Sequence, residues 1–143
     1  MNKILRKFTV IMALIVGFTA SAHAEIAVIV NSGSKVDKLS KSEVSRIFLG
    51  KLKRLPSGVK AVPVDLKDGN KRRAEFYKQV VGKNAIQLKS YWSTRIFSGK
   101  GTPPLELGNS EDVVTWVAKN PGGIGYVDAG AISGDVKTVF TIK

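Results

Sequence analysis

From Glu25 onward the chain alternates between short β-branched runs and stretches whose apolar residues recur at helical spacing. Glu25 to Val30 reads EIAVIV, an apolar run that predicts a buried first strand. Asn31-Ser32-Gly33-Ser34 breaks it, and a polar loop follows to Leu39. Ser40 and Glu43 have capping-box spacing, and Val44, Ile47 and Phe48 share one helical face. Gly50 falls where a helix takes its C′ residue. A basic loop with Lys51, Lys53 and Arg54 closes at Pro56-Ser57-Gly58. Val59 to Leu66 predicts a second strand, with Pro63 assigning it to an edge or a strand end.

Asp68-Gly69-Asn70 is a turn that opens the next helix, whose apolar face is Ala74, Phe76, Tyr77, Val80 and Val81 and whose end is Gly82. Ile86 to Phe97 predicts a further helix with Leu88, Tyr91, Trp92 and Phe97 facing inward. Ser98 to Pro104, broken by glycines and prolines, is an exposed loop. Ser110, followed by Glu111 and Asp112, starts a helix through Ala118, with acids at the positive end of the helix dipole. Pro121-Gly122-Gly123 stops it, and Ile124 to Val127 and Val136 to Ile142 are the last strands. Strands alternating with helices predict an α/β domain of two or three layers around a mostly parallel sheet.

The residues before this domain have a different pattern. Lys3, Arg6 and Lys7 precede the apolar stretch Phe8 to Phe18, and Ala22-His23-Ala24 supplies the small residues of a cleavage site. The run is shorter than the ~20 residues of a membrane-spanning helix. It predicts a signal peptide, residues 1–24, cleaved after Ala24, and a periplasmic domain of residues 25–143.

Composition narrows the chemistry further. There is no cysteine, and the one histidine, His23, lies in the leader. Disulfides, zinc sites and Ser-His or Cys-His nucleophilic pairs are thereby removed from the domain. No carboxylates stand in a recognisable acid–base pair, so binding rather than catalysis is expected, without a cofactor or metal. The formal charge of +12 invites anionic partners.

Three blocks resemble one family. Ser42 to Lys51 (SEVSRIFLGK) is similar to the "IFLGK" helix end of the type II periplasmic phosphate-binding proteins. Val62-Pro63-Val64 precedes Asp68-Gly69, where that family has a strand, then D-G-S-G-T-T, then a helix with phenylalanine, here Phe76. Val113 to Ala129 (VVTWVAKNPGGIGYVDA) resembles the family's helix followed by "PGAIGYV". The resemblance implies a type II binding-protein-like fold, about one lobe of it, and capture of an oxyanion, phosphate first, for an ABC permease or a sensor. The family's Ser-Gly-Thr-Thr, which gives hydroxyls and backbone amides to phosphate, is replaced by Asn70-Lys71-Arg72-Arg73.

Those four residues are the leading anion-site candidates. Arginine forks suit phosphate oxygens, and three cations in a first helical turn conflict with the dipole there. Ser32, Gly33 and Ser34, after the first strand, are expected to form the opposite wall, and Arg95 is a secondary candidate. Ser98 to Thr102 lacks the spacing of a nucleotide-binding loop. Tyr91, Trp92 and Trp116 follow core periodicity, which argues against a sequence-specific nucleic-acid reader. The competing expectation is an interaction module that keeps the fold without the ligand and binds a partner protein or an anionic polymer. A homodimer would rebuild a two-sided cleft from two copies.

Overall fold

The structure, a computed structural model, describes residues 25–143, so the expected signal peptide and its cleavage site lie outside the described residues. Five strands form one sheet in the order β3-β2-β4-β1-β5. They are β1 (Ile26–Asn31), β2 (Val62–Leu66), β3 (Leu105–Leu107), β4 (Gly123–Asp128) and β5 (Val136–Ile142). The helices are α1 (Lys41–Phe48), α2 (Lys71–Phe76), α3 (Ala85–Phe97) and α4 (Ser110–Lys119). A π-helical turn, Tyr77–Val81, continues α2, and a 3₁₀ turn, Ala129–Ala131, follows β4.

Local chemistry sets the helix ends. Ser40 and Glu43 form the expected capping box, and Gly50 takes φ +69° just beyond the last turn of α1. A second capping box, Asn84 with Gln87, starts α3. Asn109, not Ser110, caps α4, accepting from Asp112 N, while Ser110 Oγ accepts from the Asp128 backbone N–H at 3.1 Å.

The sheet is mixed rather than mostly parallel. β2 pairs in parallel with β3 and β4, whereas β1 runs antiparallel to both β4 and β5. The first strand of the domain inserts between the last two and opposes them. Alternation of strands and helices along the chain cannot reveal this, because the neighbours of β1 come from the far end of the sequence. β2 is an inner strand, and Pro63 is accommodated near its start. The strand begins at Val62 rather than Val59, after the Arg54↔Lys60 bridge.

Side chains alternate across a strand, and β4 shows what each face needs. On one face Gly123 and Gly125 leave room for α4: a Cβ at Gly125 would collide with Val113, and one at Gly123 would lie 2.9 Å from Trp116 Cζ3. On the other face Tyr126 stacks on Phe76, centroids 3.9 Å apart, with Phe48 edge-on to both. α4 therefore covers one face, and α1 and α2 the other, in three layers. Asn31, at the end of β1, donates to the Val117 and Ala118 carbonyls at 3.0 and 2.9 Å and so satisfies the last turn of α4.

Phe97 does not face inward as the helical pattern suggested; it is 97% exposed. It lies five residues past Trp92, and at 3.6 residues per turn that rotates it about 140° from the buried stripe. Leu88 and Trp92 are buried, and Tyr91 and Trp116 pack half-buried against the core.

Candidate functional site

β2 ends at Leu66, and the turn from Lys67 to Asn70 closes with the Asn70 N–H donating to the Lys67 carbonyl at 3.1 Å. Gly69, at φ +87°, supplies the left-handed residue this turn requires. Asn70 then caps α2, accepting from Arg72 N at 2.8 Å. Lys71, Arg72 and Arg73 consequently occupy the first helical turn as expected.

Carboxylates from four parts of the chain resolve the dipole conflict there. Arg72 pairs with Glu75 at 2.7 Å and also with Asp128 at the end of β4. Arg73 pairs with Glu106 of β3 at 2.7 Å, lies 3.5 Å from Asp65 of β2, and donates to the Leu66 carbonyl at 2.8 Å. Its guanidinium also sits 5.6 Å from the centroid of the Tyr77 ring. The two arginines thus bind strands and helix together, with acids of the same chain holding their forks.

Asp65 lies at the centre of this arrangement and is 2% exposed. Tyr77 Oη donates to it at 2.6 Å, Tyr126 Oη makes a short hydrogen bond to its other oxygen, and Leu66 N donates at 2.9 Å. Burial pushes the Asp65 carboxyl above its ordinary value, against the Tyr126 and Tyr77 hydroxyls, the Arg73 charge and the Leu66 N–H, which pull it down. Burial and the adjacent carboxylate push both tyrosine hydroxyls up, keeping them protonated donors. Sequence reasoning missed Asp65. The available signal was an acid within the apolar strand VPVDL, which a buried strand holds only when it is partnered.

A pocket of about 350 Å³ opens beside this turn. Lys71, Arg73, Lys78 and Lys83 line it as cations, Ala74, Tyr77 and Leu88 contribute its apolar surface, and Asp68 is its one acid. Lys71 and Lys78 have no carboxylate partner among the described residues, and Lys83 Nζ lies 5.3 Å from the Tyr91 ring centroid. The loop cations and the pocket are therefore adjacent, and its lysines are the unpaired ones.

Ser32, Gly33 and Ser34 are not the opposite wall. Val30 of β1 pairs with Ile124, and Ile124 pairs with Pro63 at the start of β2, so the end of β1 and the beginning of β2 lie at the same end of the sheet, with β4 between them. The serine loop thus lies at the other end of the sheet from Asn70–Arg73. It is a structural turn: Gly33 N donates to Asn31 Oδ1 at 2.9 Å, and Lys137 Nζ donates to the Ser34 carbonyl at 2.6 Å. Arg95 stands apart from the α2 turn, donating to the Lys100 carbonyl at 3.2 Å and lying 5.5 Å from the Tyr91 ring centroid.

The fold, a single open sheet with helices on both faces, is type II periplasmic-binding-protein-like and matches a part of the phosphate-binding proteins below. Among solved structures it is similar to one assigned as a phosphate ABC transporter substrate-binding protein from Clostridium perfringens, solved with bound phosphate, at TM-score 0.65 and 22% identity over 81% of this chain. A phosphate transport receptor from Vibrio cholerae matches at TM-score 0.63 and 17% identity over the same share. PstS from Borrelia burgdorferi matches at TM-score 0.56 and 12% identity over 75% of this chain. At such identities the likeness establishes the fold. The chain spans less than half the length of these proteins: 45%, 46% and 42% respectively. No protein-family model matches the chain, and no curated protein sequence does.

Proposed function

We propose that the chain is a periplasmic solute-binding domain that takes a small oxyanion, phosphate first, in the pocket beside the α2 turn, without catalysis. The observation that carries this reading is the convergence of Lys71, Arg73, Lys78 and Lys83 on one pocket in a fold shared with phosphate receptors. The lysines would hold the anion. Asn70 would shape the turn, and Arg72 and Arg73, already engaged by carboxylates, would brace it rather than bind. Delivery to an inner-membrane ABC permease or a sensor belongs to the same reading, as does export directed by residues 1–24.

The test is calorimetric titration of phosphate into the protein as recovered from an exporting host, with sulfate as control. The expected result is saturable one-site binding that Lys71→Ala with Lys78→Ala weakens at least tenfold. That is the scale of one charge-assisted hydrogen bond, about 1.5–3 kcal/mol. No heat and no thermal stabilisation at millimolar phosphate would overturn it.

One observation favours a second reading, an interaction module that keeps the fold without the ligand. Both arginines of the turn are satisfied by the chain's own acids, and the length is less than half that of the receptors it resembles. A defined complex with another protein, together with no phosphate binding, would select it.

A further inference from the structure

The acids and the exposed apolar residues of this domain are segregated from each other. Residues 44–64 contain five Lys or Arg and no Asp or Glu, and residues 76–105 again contain five and none. All six large hydrophobic residues exposed among the described residues fall in those two segments: Val59, Val62, Ile86, Ile96, Phe97 and Leu105. None of the cations in the two segments has a carboxylate partner among the described residues.

The fold brings the two segments together. Tyr91 Oη of α3 donates to the Leu49 carbonyl at 2.6 Å, and Arg95 Nη2 reaches the Gly50 carbonyl at 3.4 Å. Lys53, Lys60, Arg95 and Lys100 stand around a cavity of about 240 Å³ with Trp92 in its lining. Lys60, Pro63 and Trp92 also line a neighbouring cavity of about 220 Å³ that reaches Val62 and Leu105. On the other side Arg95 borders the open hollow beside Ile86 and Lys83. No carboxylate lines any of the three.

We propose that this acid-free face adsorbs to the surface of a bilayer containing anionic lipid. Charge complementarity names the occupant: unpaired lysines match lipid phosphates, each raising the partition onto an anionic leaflet about fivefold. The interspersed aliphatic residues and Phe97 then match the headgroup–acyl boundary, as on an interfacial helix. A nucleic acid would match the charge but would leave the aliphatic residues idle, since base stacking asks for aromatics and Phe97 is the one aromatic among the six. No helix among the described residues is long and apolar enough to cross a membrane, so the attachment is peripheral. The face borders the pocket beside the α2 turn and shares Lys83 with it, but the residues tested below lie outside that pocket, so the proposal stands whether or not phosphate binds there.

The test is vesicle co-sedimentation of the protein as recovered from an exporting host, comparing phosphatidylglycerol-containing vesicles with pure phosphatidylcholine vesicles at physiological salt. Binding is expected on the anionic vesicles alone and is lost as salt is raised. Lys53→Glu with Lys60→Glu and Lys100→Glu lowers the partition on the order of a hundredfold. Phe97→Ser, at a side chain with no core contact to lose, lowers it about tenfold and leaves the salt dependence in place. Equal pelleting with both vesicle types, or a triple variant that binds as the parent does, overturns the proposal. Capture of single-stranded DNA or polyglutamate without vesicle binding overturns it as well.

Discussion

The two cationic regions of this domain are built on opposite principles. At the start of α2, Arg72 and Arg73 are held by Glu75, Asp128, Glu106 and Asp65, and one of those acids is buried. Across the face formed by residues 44–64 and 76–105, every Lys and Arg lacks a carboxylate partner among the described residues. Arginine in the first region and lysine around much of the second fit this division. A planar fork is suited to fixed internal pairing, and a flexible ammonium remains solvated until a partner arrives. A cluster of positive charge in a sequence is therefore two different objects according to where its acids lie. Paired, it holds strands and helices together; unpaired, it is available to something outside the molecule.

The largest expected effect breaks the first region. Asp65→Ala removes the acceptor of two buried tyrosine hydroxyls and one partner of Arg73. Loss of a buried pair costs about 3–5 kcal/mol, and Glu106 keeps Arg73 partly paired, so a loss of about 3 kcal/mol is expected from urea unfolding. An Asp65→Ala variant as stable as the parent would show that the network contributes nothing net.

A subtler change, Asp65→Asn, sharpens the comparison through pH. Burial holds the folded carboxyl above the ordinary aspartate value of 3.8, so between 3.8 and the raised value the folded state holds more protons than the unfolded one. Stability from this group is fully present below 3.8 and declines as pH rises through the folded value. The parent should lose melting temperature across that window relative to Asp65→Asn. Parallel melting curves for the two proteins would contradict the sign.

The smallest effect belongs to the second region. Lys53→Glu with Lys60→Glu and Lys100→Glu alters exposed side chains without ion pairs and reduces self-repulsion in a chain of charge +12. The melting temperature should hold or rise slightly, with a stability change inside about 0.5 kcal/mol per site. A large loss would mean that these lysines support the fold.

Much of the architecture was readable because its signals are local. The capping box at Ser40 and Glu43, the C′ glycine at position 50, and the first and last strands each rest on a few neighbouring residues. What escaped depends on distant ones. β3 has three residues and pairs in parallel with β2 alone, so it is too short to show a period. The direction of β1 is set by β4 and β5, whose residues lie about a hundred positions along the chain. Arg72 and Arg73 were recognisable as out of place in a first helical turn. The explanation lies in Asp65, Glu106 and Asp128, which only the fold brings near. Ser32–Ser34 was assigned to the same cleft because both turns follow strands, but antiparallel pairing sends those strand ends to opposite edges.

The position of β1 has a consequence for the order of events in time. Ile26 pairs with Asp128 on one side and with Ile142 on the other, so β1 gains its first neighbour about a hundred residues after it is made and its second only with the last strand. Such sequence-distant contacts raise contact order and slow folding. Until residue 142 has been synthesised, β1 can be flanked on its β4 side alone, and the sheet lacks its edge strand β5.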